Sequence, residues 1–129
     1  MSARRRVSSG GPWEDRAGYS RAIAVGDSCH VSGTTDAGPD GRSRHPGDIA
    51  AQADATLQII ATALESAGFG IADVVRTRIY VTDLSQSSEV LAVHRRWFDA
   101  VRPAATLVQV AALIDPTLLV EIEVDAQRG

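Results

Sequence analysis

The residues best suited to chemistry lie near the C-terminus. Leu118 to Asp125 alternates in character. Val120, Ile122 and Val124 fall on one face of an extended strand, and Leu119, Glu121, Glu123 and Asp125 on the other. Three carboxylates on one strand face are costly to bury unpaired, so that face meets water, cations or a polar cleft. Arg76, Arg78 and Tyr80 share a face of another candidate strand, where either arginine is placed to pair across strands with Glu121 or Glu123. His94 stands on a helical stripe between Val90 and Trp97. A histidine there is either a packed boundary residue or, if it reaches a cleft, a group that titrates near neutrality. In the second case His94 and Glu121 form the best acid/base couple available.

Other chemistries are not signalled. His30, His45 and His94 are scattered and Cys29 stands alone, so no metal set is expected. No glycine-rich phosphate loop and no nucleophile elbow is present. No cofactor is implied.

These residues need a scaffold, and 129 residues make one domain. At this size folding buries roughly two-thirds of the unfolded surface, enough for a core without cross-links. The net charge of −3 argues against a nucleic-acid partner, whose grip rests on lysine and arginine. A single cysteine fits a reducing cytoplasm. The opening MSARRRVSSG has no apolar run after its arginines, so neither a signal peptide nor a membrane association is expected. Residues 1–11 read as a flexible tail and 12–129 as the domain.

Within that domain, Tyr19 to Val25 and Ser28 to Thr34 read as strands joined by Gly26-Asp27, a hairpin loop with glycine first. Asp36 to Gly47 is a loop. Asp48 to Ala67 is a helix: Asp48 caps it, and Ile49, Ala53, Leu57, Ile60, Ala61 and Leu64 form its apolar face. Gly68 fits a left-handed stop, with Phe69 folding back. Val74 to Thr82 is a strand, with Val75, Thr77, Ile79 and Val81 expected on its inner face. A second helix, capped by Asp83 or Ser85, runs to Ala100 with the stripe Val90, Val93, Trp97, Phe98 and Val101. Ala104 to Leu113 is a strand, and Asp115-Pro116 turns the chain into the last one. Two helices cover one face of such a sheet. The other, carrying arginines and acids, is expected to meet further subunits.

Three segments carry a resemblance. VSGTTD at Val31 to Asp36, RPA at Arg102 to Ala104 and VEIEV at Val120 to Val124, in this order and spacing, resemble the RidA/YjgF family from about Tyr19 to Ala126. The resemblance implies an α+β domain of chorismate-mutase-like type, a mixed sheet with two helices on one face, assembled as a homotrimer with ligand clefts between subunits. Archetypal members hydrolyse a short-lived imine or enamine of an amino acid to a keto acid and ammonia. Glu121 matches a glutamate that helps place a water. Ser32 and Gly33 match a pair whose backbone approaches the ligand. Tyr19 matches a tyrosine that closes the cleft from a neighbouring subunit, and His94 replaces an asparagine that points toward it.

The chain departs from the family at one position. An arginine two residues after the proline grips the substrate carboxylate in archetypal members; here Ala105 stands there, followed by Thr106. Loss of a charged hydrogen bond costs about 1.5–3 kcal/mol. Efficient 2-iminopropanoate deamination is therefore not expected. With no cation partner, a partly buried Glu121 is expected to have a raised pKa. The expected function is binding, and transformation, of a small imine, enamine or carbonyl compound that is neutral or apolar near Ala105, Thr106 and Leu107. A non-catalytic binding or regulatory protein is the alternative. Ribonuclease or translation inhibition is the least supported, because basic content is low and no aromatic platform for bases is evident.

Overall fold

The computed structural model describes residues 4–129. Its framework is a six-stranded sheet in the order β1-β2-β3-β6-β4-β5. The strands are β1 (Arg4–Val7), β2 (Ala22–Val25), β3 (Ser28–Thr34), β4 (Val74–Val81), β5 (Ala104–Gln109) and β6 (Val120–Gln127). All pairs are antiparallel except β4 with β5, so the sheet is mixed. The helices are a short α1 (Glu14–Ala17), α2 (Ile49–Ser66) and α3 (Ser87–Phe98).

The hairpin between β2 and β3 turns at Gly26, whose φ of 59° is open to glycine at little cost. Asp48 caps α2 by accepting from the Ala51 N–H at 3.1 Å. Gly68 takes φ 85°, and the Phe69 N–H returns to the Leu64 carbonyl at 2.8 Å, the fold-back expected of this stop. The buried face of α2 includes Ile49, Ala53, Leu57, Ile60 and Leu64, with Ala63 more deeply placed than Ala61. It also buries Gln52, whose amide donates to the His45 and Thr117 carbonyls while its oxygen accepts from the Leu119 N–H. That residue ties the helix to the entrance of β6. Trp97 of α3 donates to Asp54 of α2 at 2.9 Å, locking the two helices together.

The core lies between the helices and one sheet face, where Ile79, Val81, Val120, Ile122 and Val124 meet Leu57, Ile60, Leu64 and Phe98. The opposite face is polar: Tyr80 donates to Glu123, Arg78 bonds Asp125 at 2.9 Å, and His30 bonds the same carboxylate at 2.7 Å.

Three expectations are corrected. The flexible tail is a strand over Arg4–Val7, because β2 offers it an open edge and four residues pair in register; residues 1–3 lie outside the described residues. Val75 does not share the inner face. The ladder between β4 and β6 slips between Val74 and Arg76, so Val75 becomes an extra residue and points outward, half exposed. β5 ends at Gln109 rather than Leu113, because its partner β4 ends at Val81.

Candidate functional site

Glu121 sits near the start of β6, opposite Tyr80 on β4 and away from the helices. Its neighbour across β3 is Gly33, at a point where the β3–β6 register slips between Val31 and Thr34. A Cβ placed on Gly33 would lie 2.1 Å from Glu121 Oε2, so the carboxylate occupies the space a side chain would need. Glycine is required there for a close approach rather than for an unusual backbone angle.

Arg21 organises the ground beneath. Its guanidinium donates to the Gly33 carbonyl at 2.6 Å, Thr34 Oγ1 at 2.8 Å and the Tyr19 hydroxyl at 3.2 Å. It also meets Glu14 Oε2 at 3.4 Å, and both members of that ion pair are buried. Burial pushes the Glu14 carboxyl up, but hydrogen bonds from Ser9 and Ser8 and the Arg21 charge reverse this and leave it lowered.

Glu121 differs. Burial pushes its carboxyl up; Arg21 opposes this and Glu123 adds to it, and the net direction is up. Among the described residues no side chain or N–H donates to it within hydrogen-bond distance. It lines a cavity of about 960 Å³ together with Tyr19, Arg21, Gly33 and Thr35. The expected rise in its pKa therefore has the expected sign. Neither proposed arginine partner reaches it: Arg78 is engaged by Asp125, and Arg76 donates to Thr106 Oγ1 at 2.9 Å.

Tyr19, Gly33 and Glu121 are thus brought together. Ser32 stands beside Gly33, but its hydroxyl donates to the Ser20 carbonyl at 2.7 Å and serves the fold. His94, Ala105 and Thr106 lie elsewhere. His94 hangs from α3 toward the sheet, with Nε2 2.9 Å from Thr77 Oγ1 and its ring 4.7 Å from that of Phe98. Burial pushes its imidazole pKa down. Thr77 pairs with Ala105 on β5, so His94 and Ala105 belong to one neighbourhood on the helix side of the sheet edge. Thr106 faces the other way, with Arg76. One chain does not join His94 to Glu121, because the two project from opposite faces of the sheet.

Sequence reading missed Arg21, Glu14 and Thr77. The available signal was an arginine two residues after Tyr19, inside a segment otherwise read as a strand.

Known proteins share this fold and sequence pattern. The profile of the family described as Endoribonuclease L-PSP matches residues 13–128. A Mycobacterium tuberculosis crystal structure from the YjgF/YER057c/UK114 family is 49% identical, superimposes with a TM-score of 0.89, and is matched over 98% of this chain and 100% of that one. The 2-iminobutanoate/2-iminopropanoate deaminase of Escherichia coli is 32% identical over 85% of this chain and 87% of its own. The E. coli protein TdcF, solved with bound serine, is 27% identical with a TM-score of 0.77, over 86% of this chain and 88% of that one. On the motifs, the fold and these matches together, the chain belongs to the Endoribonuclease L-PSP family, the YjgF/RidA proteins.

Proposed function

We propose that this protein is a homotrimer that binds and transforms a small imine, enamine or carbonyl metabolite in clefts between subunits. The observation that carries this reading is Glu121: a carboxylate with a raised pKa and no engaged partner, held over a glycine backbone at a cavity wall. Such a group can take up or give a proton and orient water. The second wall would come from a neighbour's β5 edge, where Ala104, Ala105, Thr106 and Val108 are all exposed. His94 lies behind that edge and completes the wall. The polar sheet face, with its Arg78, Asp125 and Glu123 network, would form the centre of the assembly.

The deaminase named above and the serine-bound relative favour a small ligand derived from an amino acid. Ala105 modifies this, because it cannot hold a carboxylate as an arginine does. The substrate is then uncharged at that end. The single domain, with β1 as its edge strand, works in the cytoplasm without cofactor, nucleic acid or membrane.

The test compares the parent protein with Glu121→Gln and His94→Ala on a panel of imines generated from neutral amino acid derivatives. Glu121→Gln should abolish turnover and retain binding. Light scattering should give three chains per particle; a monomer overturns the reading. A non-catalytic binder is the second reading, favoured by Ala105. Ligand binding by the parent with no turnover across the panel would select it.

A further inference from the structure

The hydrogen bond of Thr77 fixes which ring nitrogen of His94 carries the proton. Thr77 is fully buried on β4, and the single partner of its hydroxyl among the described residues is His94 Nε2, at 2.9 Å. Two arrangements are open. If the imidazole donates from Nε2, the threonine hydrogen is left buried with no acceptor, an unfavourable loss. If the hydroxyl donates to Nε2, the hydroxyl hydrogen is satisfied and only oxygen lone pairs remain unused, which costs little. The second arrangement wins. The neutral imidazole then carries its proton on Nδ1. That atom has no partner among the described residues and is not enclosed, so it reaches solvent.

Its neighbours on the sheet side are uncharged. Ala105 sits beside Thr77 on the neighbouring strand, and Leu107 follows on the same side, opposite Ile79. Phe98 backs the ring. The nearby cations are engaged elsewhere: Arg76 with Thr106 on the other sheet face, and Arg102 with Asp99 at 2.8 Å.

We propose that Thr77 is a positioning residue that fixes His94 as the Nδ1–H tautomer, giving this wall a neutral hydrogen-bond donor for an uncharged oxygen of the ligand, such as an ester, amide or ketone carbonyl. The part concerning the ligand rests on the reading that this edge forms a cleft wall. The tautomer does not.

The experiment is nitrogen-15 NMR of the full chain, which resolves the protonated ring nitrogen of each histidine. The chain has three, and His94→Asn identifies the signals of interest. The wild type should show His94 protonated on Nδ1. Thr77→Val, of the same shape but without a hydroxyl, should move the proton toward Nε2, and Thr77→Ser should restore it. A wild-type His94 protonated on Nε2, or a tautomer unchanged in Thr77→Val, overturns the assignment. Titration with methyl pyruvate and with pyruvate then tests the ligand class. Methyl pyruvate should perturb the His94 signals at lower concentration, and Thr77→Val should weaken that binding about fivefold to tenfold. Equal or better binding of pyruvate, or no response to either, overturns the ligand class. A monomeric particle would instead sink the cleft reading while the tautomer result stood.

Discussion

The two ends of the sheet handle charge in opposite ways. Around β2, β3 and the start of β6 one chain builds a dense polar structure: Arg21 buried and saturated, Glu14 lowered, and Glu121 raised within a few residues' reach. On the helix side of β4 and β5 the residues beside His94 are small and uncharged, with Ala105 at the edge and His94, its pKa lowered by burial, behind it. The first region is complete within a single chain. The second is an exposed parallel edge strand, which ordinarily needs covering. On the proposed function, a proton-handling group facing a neighbour's neutral wall is what a change of substrate charge would leave behind, if the reaction type were retained.

That contrast breaks most readily at Arg21. Arg21→Met removes a buried cation, takes the donor from the Gly33 carbonyl and Thr34, and leaves Glu14 held by Ser9 without its cation. Loss of one partner from a buried ion pair costs about 3–5 kcal/mol. Urea denaturation at fixed protein concentration should show a loss of that size. Its absence would mean the polar region is not a structural unit. The sheet edge should respond weakly by comparison: Thr106→Val removes one exposed hydrogen bond and should change stability by less than about 1 kcal/mol.

Gly33→Ala tests position rather than stability. The new methyl collides with the end of the Glu121 side chain, which can swing away. Folding should change little, while displacement of a reacting group by about 1 Å can lower turnover on the order of a hundredfold. Wild-type turnover in this variant would detach Glu121 from the chemistry.

Restoring a cation sharpens the comparison from the other side. Ala105→Arg should improve recognition of 2-iminopropanoate by about tenfold to a hundredfold, the worth of one charged hydrogen bond. An unchanged rate would show that the neutral wall differs from the archetype in more than this residue.

How much of this was legible beforehand follows from the range of the interactions. Asp48, Gly68 and most of the α2 stripe are local signals and appear as read, with Ala63 buried where Ala61 was expected. The alternation of β6 set its two faces correctly because one face is buried and the period is two. Val75 failed because a bulge depends on the partner strand, and β6 inserts between β3 and β4 from far along the chain. β1 failed because its residues are polar and its stability comes from a free edge of β2. The site divided in the same manner. Glu121, Gly33 and Tyr19 were named through motif resemblance, and all three line one cavity. Arg21 carries no motif, and its importance lies in four partners spread over residues 14–34. His94 and Glu121 leave opposite faces of the sheet, so one chain does not join them, and sequence alternation on separate elements could not show that.

The smallest effect is also the most specific. Glu121 is more protonated in the folded chain than in the unfolded one between its ordinary pKa of 4.5 and its raised value. In that window the folded state binds more protons, so stability falls as pH rises and the deficit persists above it. Below the window the unfolded carboxyl is protonated as well and the deficit vanishes. Glu121→Gln removes the cost of holding an unpartnered anion against Gly33. The variant should therefore be slightly more stable than the parent at pH 7, and equal to it once both are measured well below pH 4.5. A residue kept for packing behaves the other way, losing stability when replaced. Stability gained together with turnover lost is the mark of a group held for chemistry against the preference of the fold. If Glu121→Gln is less stable at every pH, the carboxylate belongs to the framework, and both regions of the sheet are structural.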